Sequence, residues 1–298
     1  GSSPTFSVSV IAGQPITYQW LTNGVTVAGA PGDSIALTHC QLNSPTNFTC
    51  IVTNNYGKLT NVWSVSYLPT PMASYPQAVL ADQPVGFWRL NEGPDDGYGD
   101  NGIICNDYQS GNNGIYTNVN LDQGGYNPFE PMERSVLFGE TGLSFYDSYA
   151  GQIQGVDFAT ADGANAEFTV AAWVNGYSGA QVGGGTIIGK GVSGVNDEFN
   201  LGLNASKCYQ FYVRSADGTV YTATNNLAPD SNWHYLVGVC DEANGRVSLY
   251  VDGVLLGSTA IPANSGLYET SEPMSIGSGI TSGTGQDYTQ QFFGFIDD

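Results

Sequence analysis

Between Trp233 and Gly253 the chain alternates its side chains through two short runs, and no other stretch constrains the fold so tightly. Trp233, Tyr235, Val237 and Val239 alternate with His234, Leu236, Gly238 and Cys240. Val247, Leu249 and Val251 then alternate with Ser248, Tyr250 and Asp252. A period of two sends successive side chains to opposite faces, so each run reads as a strand with one face on a core. Residues 241–245 between them are turn material, which makes the strands antiparallel neighbours. Asp252-Gly253 signals a second tight turn, because glycine supplies positive φ at no steric cost. The same alternation recurs at 167–175, where Phe168, Val170, Ala172 and Val174 oppose Thr169, Ala171 and Trp173. Shorter runs follow at 186–189, 199–203, 209–214, 219–223 and 274–277. No segment sustains a 3.6-residue period. The chain is all-β, with enough short strands for a two-sheet sandwich.

The W-H-x-hydrophobic run, the short turn and L-Y-V-D-G resemble the laminin-G-like branch of the concanavalin A-like jelly rolls. Residues 78–92, A-V-L-A-D-x-P-V-x-x-W-R-L-N-E, are similar to the opening strand of such modules in bacterial surface proteins. Phe292 to Asp298 resembles the G-x-I-D-[DE] that begins the closing strand. The resemblance implies that the chain stops at the first residues of that strand, so the core is expected to lose apolar cover there. Residues 93–134 read as one long Gly/Asn/Asp-rich loop.

Residues 1–68 read as a separate strand-rich domain. G-x-P-x-x-Y-x-W-x-x-N-G, followed by F-T-C-x-V-T-N-x-x-G, resembles an immunoglobulin-like domain whose first strand is missing. The resemblance makes Trp20 the core tryptophan and Cys50 the strand F cysteine. The partner cysteine is replaced by Val8 or Val10, and Phe48 replaces the corner tyrosine. Prolines across 69–76 mark an extended linker. The expected organisation is therefore a partial immunoglobulin-like sandwich over 1–68, a linker over 69–76, and a jelly-roll sandwich over 77–298.

A formal net charge of −20 excludes some partners. Residues 1–68 hold one Asp and one Lys, so the excess lies in the remainder, with 26 acids against 6 bases. That surface cannot neutralise a phosphate backbone, so nucleic acid is excluded as a partner. It would repel anionic membranes and polyanionic glycans and attract cations such as Ca²⁺. No apolar run is long enough to span a bilayer, and no leader opens the segment. The expected protein is soluble and extracellular or on the cell surface, with any export signal elsewhere.

Five cysteines cannot all pair within one chain. Cys40 and Cys50 could be bridged as a hairpin clip, and Cys208 and Cys240 fall on strands of one expected sheet region. A buried thiol is the alternative for each. Catalysis finds little support. There is no E-x-D-x-x-E run of the kind glucanases use, no G-x-S-x-G, no H-E-x-x-H, and only two histidines, His39 and His234.

Binding is better supported. If Phe199, Leu201, Leu203, Tyr209, Phe211 and Val213 face the core, Asn200, Gln210, Tyr212 and Arg214 face out. Trp173 also lies on the outer face of its strand. An aromatic ring with amides and a guanidinium suits a sugar, whose apolar face stacks while its hydroxyls hydrogen-bond. The alternative is that loops cover this face. The jelly-roll resemblance further implies a structural Ca²⁺ tying the opening strand to the closing one, through Asn91 or Glu92 and Asp297. The loop acids Asp95, Asp96, Asp100 and Asp107 and the amides Asn101 and Asn106 are further oxygen donors.

The functional expectation is a non-catalytic segment of an extracellular bacterial protein. Its jelly roll would bind glycan or a cell-surface protein, with the first domain as spacer beside neighbouring domains of a longer chain. Two other readings are a stalk or filament element without ligand, and an accessory region of a polysaccharide-degrading enzyme.

Overall fold

Leu236, Cys240, Val247, Leu249 and Val251 all turn into one apolar core, as their alternation requires. The computed structural model describes residues 5–30, 32–36, 46–65, 67–94, 99–130, 133–139, 147–282 and 287–298. The chain divides into two units, Gly1–Met72 and Ala73–Asp298.

The first unit contains β1 (Thr5–Ser7), β2 (Thr17–Thr22), β3 (Val25–Thr26), β4 (Ser34–Ala36), β5 (Asn47–Asn54) and β6 (Gly57–Ser64). β1 pairs with β4, and a second sheet runs β3-β2-β5-β6. Phe6 of the first sheet stacks on Phe48 of the second at 4.9 Å, which closes the two sheets over a shared core. Trp20 is fully buried against Cys50 and stacks on Trp63 at 5.6 Å. Its indole N–H, which burial would otherwise strand, donates to the Gly32 carbonyl at 3.0 Å.

The second unit opens with a helix, α1 (Ser74–Ala81), where the sequence comparison implied a strand and a stiff linker. Pro76 fits the first turn because the leading N–H groups of a helix lack partners anyway, and Gln77, Ala78, Leu80 and Ala81 favour helix. β7 (Ile104–Cys105), β8 (Gly114–Thr117) and β9 (Asn120–Gly124) then lie in the stretch expected to be one loop. β10 (Arg134–Phe138), β11 (Tyr149–Ile153), β12 (Glu167–Gly176), β13 (Thr186–Lys190), β14 (Phe199–Leu203), β15 (Tyr209–Arg214) and β16 (Val220–Thr224) follow. The alternating feature forms β17 (His234–Asp241) and β18 (Arg246–Val251). The last strands are β19 (Val254–Ala260), β20 (Met274–Ile276), β21 (Ser278–Ser282), β22 (Asp287–Gln291) and β23 (Gly294–Asp297).

These strands form a sandwich of two mainly antiparallel sheets. One runs β19-β18-β17-β12-β23-β10-β9. The other runs β16-β15-β14-β13-β20-β11-β8-β7, with the β21–β22 hairpin attached at β13. β17 and β18 pair from Asp241↔Arg246 to Leu236↔Val251, and the β18–β19 turn places Asp252 and Gly253 at φ 50° and 78°. Phe168, Val170 and Val174 of the first sheet meet Phe199, Leu201, Phe211 and Ile276 of the second. The sheets pack closely enough that a Cβ on Gly238 would lie 2.3 Å from the Phe211 ring, so only glycine fits there. β23 is inserted between β12 and β10, with Trp173↔Asp297 on one side and Val136↔Ile296 on the other. Among the described residues no strand pairs with 167–172 on the side away from β17. A cavity of about 570 Å³ opens beside them and reaches Phe168, Val170, Ile188 and Met274.

Candidate functional site

The side chains expected to form one binding face lie on opposite sheets. Trp173 belongs to β12, whereas Asn200, Gln210, Tyr212 and Arg214 belong to β14 and β15. Strand parity is as expected, since Phe199, Leu201, Leu203, Tyr209, Phe211 and Val213 all enter the core. Parity fixes a face, not which sheet carries it. The four β14–β15 residues bond within the protein. Asn200 donates to Thr186 Oγ1 at 2.8 Å, and Gln210 donates to the Leu203 carbonyl at 3.3 Å. Arg214 donates from Nε and Nη2 to the Asp197 carboxylate at 3.0 and 2.6 Å, and from Nη1 to the Gly218 carbonyl at 3.0 Å. The Tyr212 hydroxyl donates to Asp197 as well, and burial together with that carboxylate raises its pKa. Asp197 is only 1% exposed. The loop carrying Asp197 thus covers Tyr212 and Arg214, as the alternative of a loop-covered face has it, and Trp173 stands apart from them on the other sheet.

Trp173 lies in an aromatic stack on the outer face of the seven-stranded sheet. Tyr126 lies parallel to it at 4.3 Å, Tyr235 is tilted at 5.0 Å, and Tyr75 from α1 packs edge-on against both tyrosines. Its indole nitrogen is buried without a hydrogen-bond partner.

The residues proposed as metal ligands separate similarly. Asn91 Oδ1 accepts from the Tyr108 hydroxyl at 3.2 Å. Glu92 accepts from the Asn106 backbone and side chain, both at 2.9 Å, and from the Tyr116 hydroxyl at 2.7 Å. Asp107 organises its own loop, accepting backbone N–H bonds from Phe87, Gln109, Ser110 and Asn112. Asp95 and Asp96 lie outside the described residues. Asp297 instead gathers with Glu133 and Asp298, each offering one carboxylate oxygen within 4.8 Å of the others. Arg89 contacts Asp298 at 3.1 Å, Glu133 at 2.8 Å and Glu130 at 3.4 Å. Burial, with Asp298 and Asp297 alongside, pushes Glu133 up to about 9 despite Arg89. Burial likewise carries Asp298 up to about 6, and Asp297 well above the usual carboxylate range. Arg89 stood in the W-R-L-N-E run, but nothing in the sequence connected it with Glu133, 44 positions on.

A cleft of about 530 Å³ lies where three loops meet at one rim of the sandwich. The β11–β12 loop contributes Asp157 and Thr160, the β15–β16 turn Ala216, and the β19–β20 loop Leu267, Tyr268 and Glu269. Its walls are fixed to one another. Thr160 and Leu267 exchange backbone hydrogen bonds at 3.2 and 3.0 Å, and the Tyr268 N–H donates to the Arg214 carbonyl at 2.9 Å. Beneath them the Lys190 ammonium spans Glu198 at 2.8 Å, Asp157 at 3.7 Å and the Thr270 carbonyl at 2.9 Å. A ring, two carboxylates and a hydroxyl thus stand on a braced rim, in a cleft of the size that holds small ligands. These residues lie in loops without periodicity, so no sequence pattern marked them.

Cys50, Cys105, Cys208 and Cys240 are free thiols, and Cys40 lies outside the described residues. Cys208 sits in the turn just before β15, outside any strand, and Cys240 lies on β17 of the other sheet, which corrects their assignment to strands of one sheet region. Both ring nitrogens of His234 are engaged, by Asp252 at 2.7 Å and Asp230 at 3.1 Å, while His39 lies outside the described residues.

No curated protein sequence matches the chain. Solved structures that resemble it include the CBM40 of the Ruminococcus gnavus IT-sialidase bound to α2,3-sialyllactose. It is 19% identical over 45% of this chain and 74% of that one, with a TM-score of 0.36. A heptameric SAP-like pentraxin from Limulus polyphemus is 14% identical over 44% of this chain and 61% of that one, with a TM-score of 0.35. Domains LG4-5 of the mouse laminin α1 chain are 11% identical over 99% of this chain and 80% of that one, with a TM-score of 0.32. A family model described as concanavalin A-like lectin/glucanases superfamily matches residues 150–298, half of the sequence and most of the sandwich strands. By that match the chain belongs to the concanavalin A-like lectin/glucanase superfamily, with a laminin-G-type jelly roll.

Proposed function

We propose that the jelly roll is a non-catalytic binding module of an extracellular bacterial surface or secreted protein, and that it takes glycan or protein in the rim cleft. The braced cleft between Asp157, Thr160, Tyr268 and Glu269 carries this reading. Loops held by a rigid sandwich are where such folds place recognition, and the Lys190 tie fixes the walls before any ligand arrives. The negative charge of this unit favours neutral or cationic ligands over polyanions. No helix among the described residues is long and apolar enough to cross a membrane. The first unit serves as an immunoglobulin-like spacer. Its buried Trp20 beside Cys50 and its two small sheets support that assignment.

A second reading, a stalk element without ligand, is favoured by the internal pairing of Asn200, Gln210, Tyr212 and Arg214. Retention on immobilised polysaccharides and a glycan array separates the two. Binding by the wild type that Tyr268→Ala abolishes, with folding intact, supports the cleft. Absence of binding to every glycan and candidate surface protein, from a folded chain, leaves the stalk.

A further inference from the structure

The Lys190 ammonium stands between two carboxylates in unlike surroundings. Its side chain is 6% exposed, while those of Glu198 and Asp157 are 0% and 61% exposed. Glu198 Oε2 lies 2.8 Å from Nζ, and Asp157 Oδ1 lies 3.7 Å from it. The same glutamate anchors the loop that carries Asp157, because its Oε1 accepts the Phe158 N–H at 2.8 Å. Phe158 in turn stacks on Phe168 at 4.4 Å and tilts against Phe199 at 5.8 Å, so one side of the group is hydrocarbon. The aspartate has a donor of its own, the Ala159 N–H, at 3.0 Å from Oδ1. Burial raises the Glu198 pKa, although Lys190 and the Phe158 N–H work against it. An amine, a carboxyl carbon beside it and a buried carboxyl group touching the amine are the components of an amide condensation.

We propose that Lys190 and Asp157 condense to an intramolecular amide, with Glu198 carrying the protons. Glu198 Oε2 accepts a proton from the ammonium across the 2.8 Å contact, which frees the nitrogen lone pair. Burial favours the protonated form of this glutamate, so it can hold that proton while the bond forms. Nζ attacks Asp157 Cγ, and negative charge gathers on Oδ1, to which the Ala159 N–H already donates. The Cγ–Oδ2 bond then breaks. Oδ2 keeps its electron pair and takes the proton held by Glu198, followed by a second one passed from Nζ through the same carboxylate. One water leaves, the amide nitrogen keeps the remaining hydrogen, and Glu198 ends as it began. A separation of 3.7 Å is a small side-chain rotation from the about 3–3.5 Å at which such groups react. Asp157 is the exposed member, so the released water has a way out through the cleft. The bond would join the β11–β12 loop covalently to the end of β13, and it stands whether or not the cleft takes a ligand.

Mass spectrometry of the unfolded full chain tests this, because the link removes one water from the sequence mass. The expected wild-type mass is lower by one water, and fragmentation of a digest finds residues 157 and 190 in one joined pair of peptides. Lys190→Met and Asp157→Ala should each restore the full sequence mass. Glu198→Gln, which keeps the shape but cannot take a proton from the amine, should restore it too. A folded wild type that holds its full sequence mass after prolonged incubation at neutral pH overturns the proposal. So does a loss of water that persists in Lys190→Met, because dehydration of an aspartate before glycine, as at Asp252-Gly253, gives the same mass. A link mapped to Lys190 and Glu198 would overturn the assignment to Asp157, and a link undiminished in Glu198→Gln would overturn the proton relay. Should a variant fail to fold, the joined peptides of the wild type still decide.

Discussion

Trp173 and Asp297 are cross-strand partners on β12 and β23, and Tyr126 holds both. Its ring stacks on the indole at 4.3 Å, and its backbone N–H donates to the Asp297 carboxylate at 2.9 Å. The aromatic stack and the carboxylate group are therefore one structural element, in which the ring supports the strand that presents the acid.

This makes Trp173 a supporting residue of the sheet face. Trp173→Ala should cost about 2–4 kcal/mol, since it removes a large half-buried ring and leaves Tyr126 without its partner. Trp173→Phe should cost clearly less, because it keeps a ring and deletes an indole N–H that is buried without a partner. Urea denaturation of the three proteins checks the order. An equal loss in both variants would mean that a phenyl ring cannot replace the indole in the stack.

Arg214 and Asp197 make a different test. The pair is nearly dry, with Arg214 9% and Asp197 1% exposed, and the Tyr212 hydroxyl completes it. Removing one member leaves the other charged and buried, so Arg214→Ala should destabilise the protein by about 3–5 kcal/mol. Arg214→Met combined with Asp197→Asn should recover much of that loss, because the stranded charge is gone. Melting curves of the single and double variants decide it, and a double variant no better than Arg214→Ala would rule out stranded charge as the cause.

Local alternation carried most of the sandwich. The 233–253 run and the pattern at 167–175 placed β12, β17 and β18 as strands with one face on a core, because a period of two sends alternate side chains to opposite faces whatever the partner strand; which set of β17 turns inward, Leu236 and Cys240, came only with the fold. It could not say which sheet a strand joins. Trp173 and Tyr212 both face outward, yet on opposite sheets. β7 to β9 are short and rich in Gly and Asn, so no run is long enough to show a period, and α1 lies in a stretch where the prolines suggested extended chain. The carboxylate group was legible only at Asp297. Glu133 reaches Arg89 through tertiary folding, and a contact across 44 residues leaves no local trace.

The thiols offer a third prediction. Cys50, Cys105 and Cys240 are buried and Cys208 is partly exposed. Burial raises the pKa of Cys50 and of Cys105, and carries Cys240 up to about 12. Since the thiolate is the reactive form, alkylation of the native protein near pH 8 should modify Cys208 first, and the other three only after unfolding. Peptide mass spectrometry of pulse-labelled samples reads this directly. Rapid native labelling of Cys240 would contradict its placement in the core.

His234 makes the pH dependence predictable in sign. Asp252 and Asp230 both accept hydrogen bonds from its ring, so each nitrogen must carry a proton and the imidazolium is the form that fits. Burial works against that charge, but the two carboxylates outweigh it and raise the pKa above the ordinary 6.5. A histidine whose folded pKa is raised contributes stability that is complete below the unfolded value and is lost as pH climbs through the folded one. The clamp joins the β18–β19 turn at Asp252 to the loop before β17 at Asp230, so its release should loosen that edge of the sheet. Both aspartates are about half exposed, which limits the effect to about 1 kcal/mol or less. The stability difference between wild type and His234→Gln should therefore be largest near pH 6 and shrink toward pH 9, with Asp252→Asn reducing the same slope. Denaturation midpoints taken across that range give the answer, and a difference that stays constant would show that no proton is linked to the clamp.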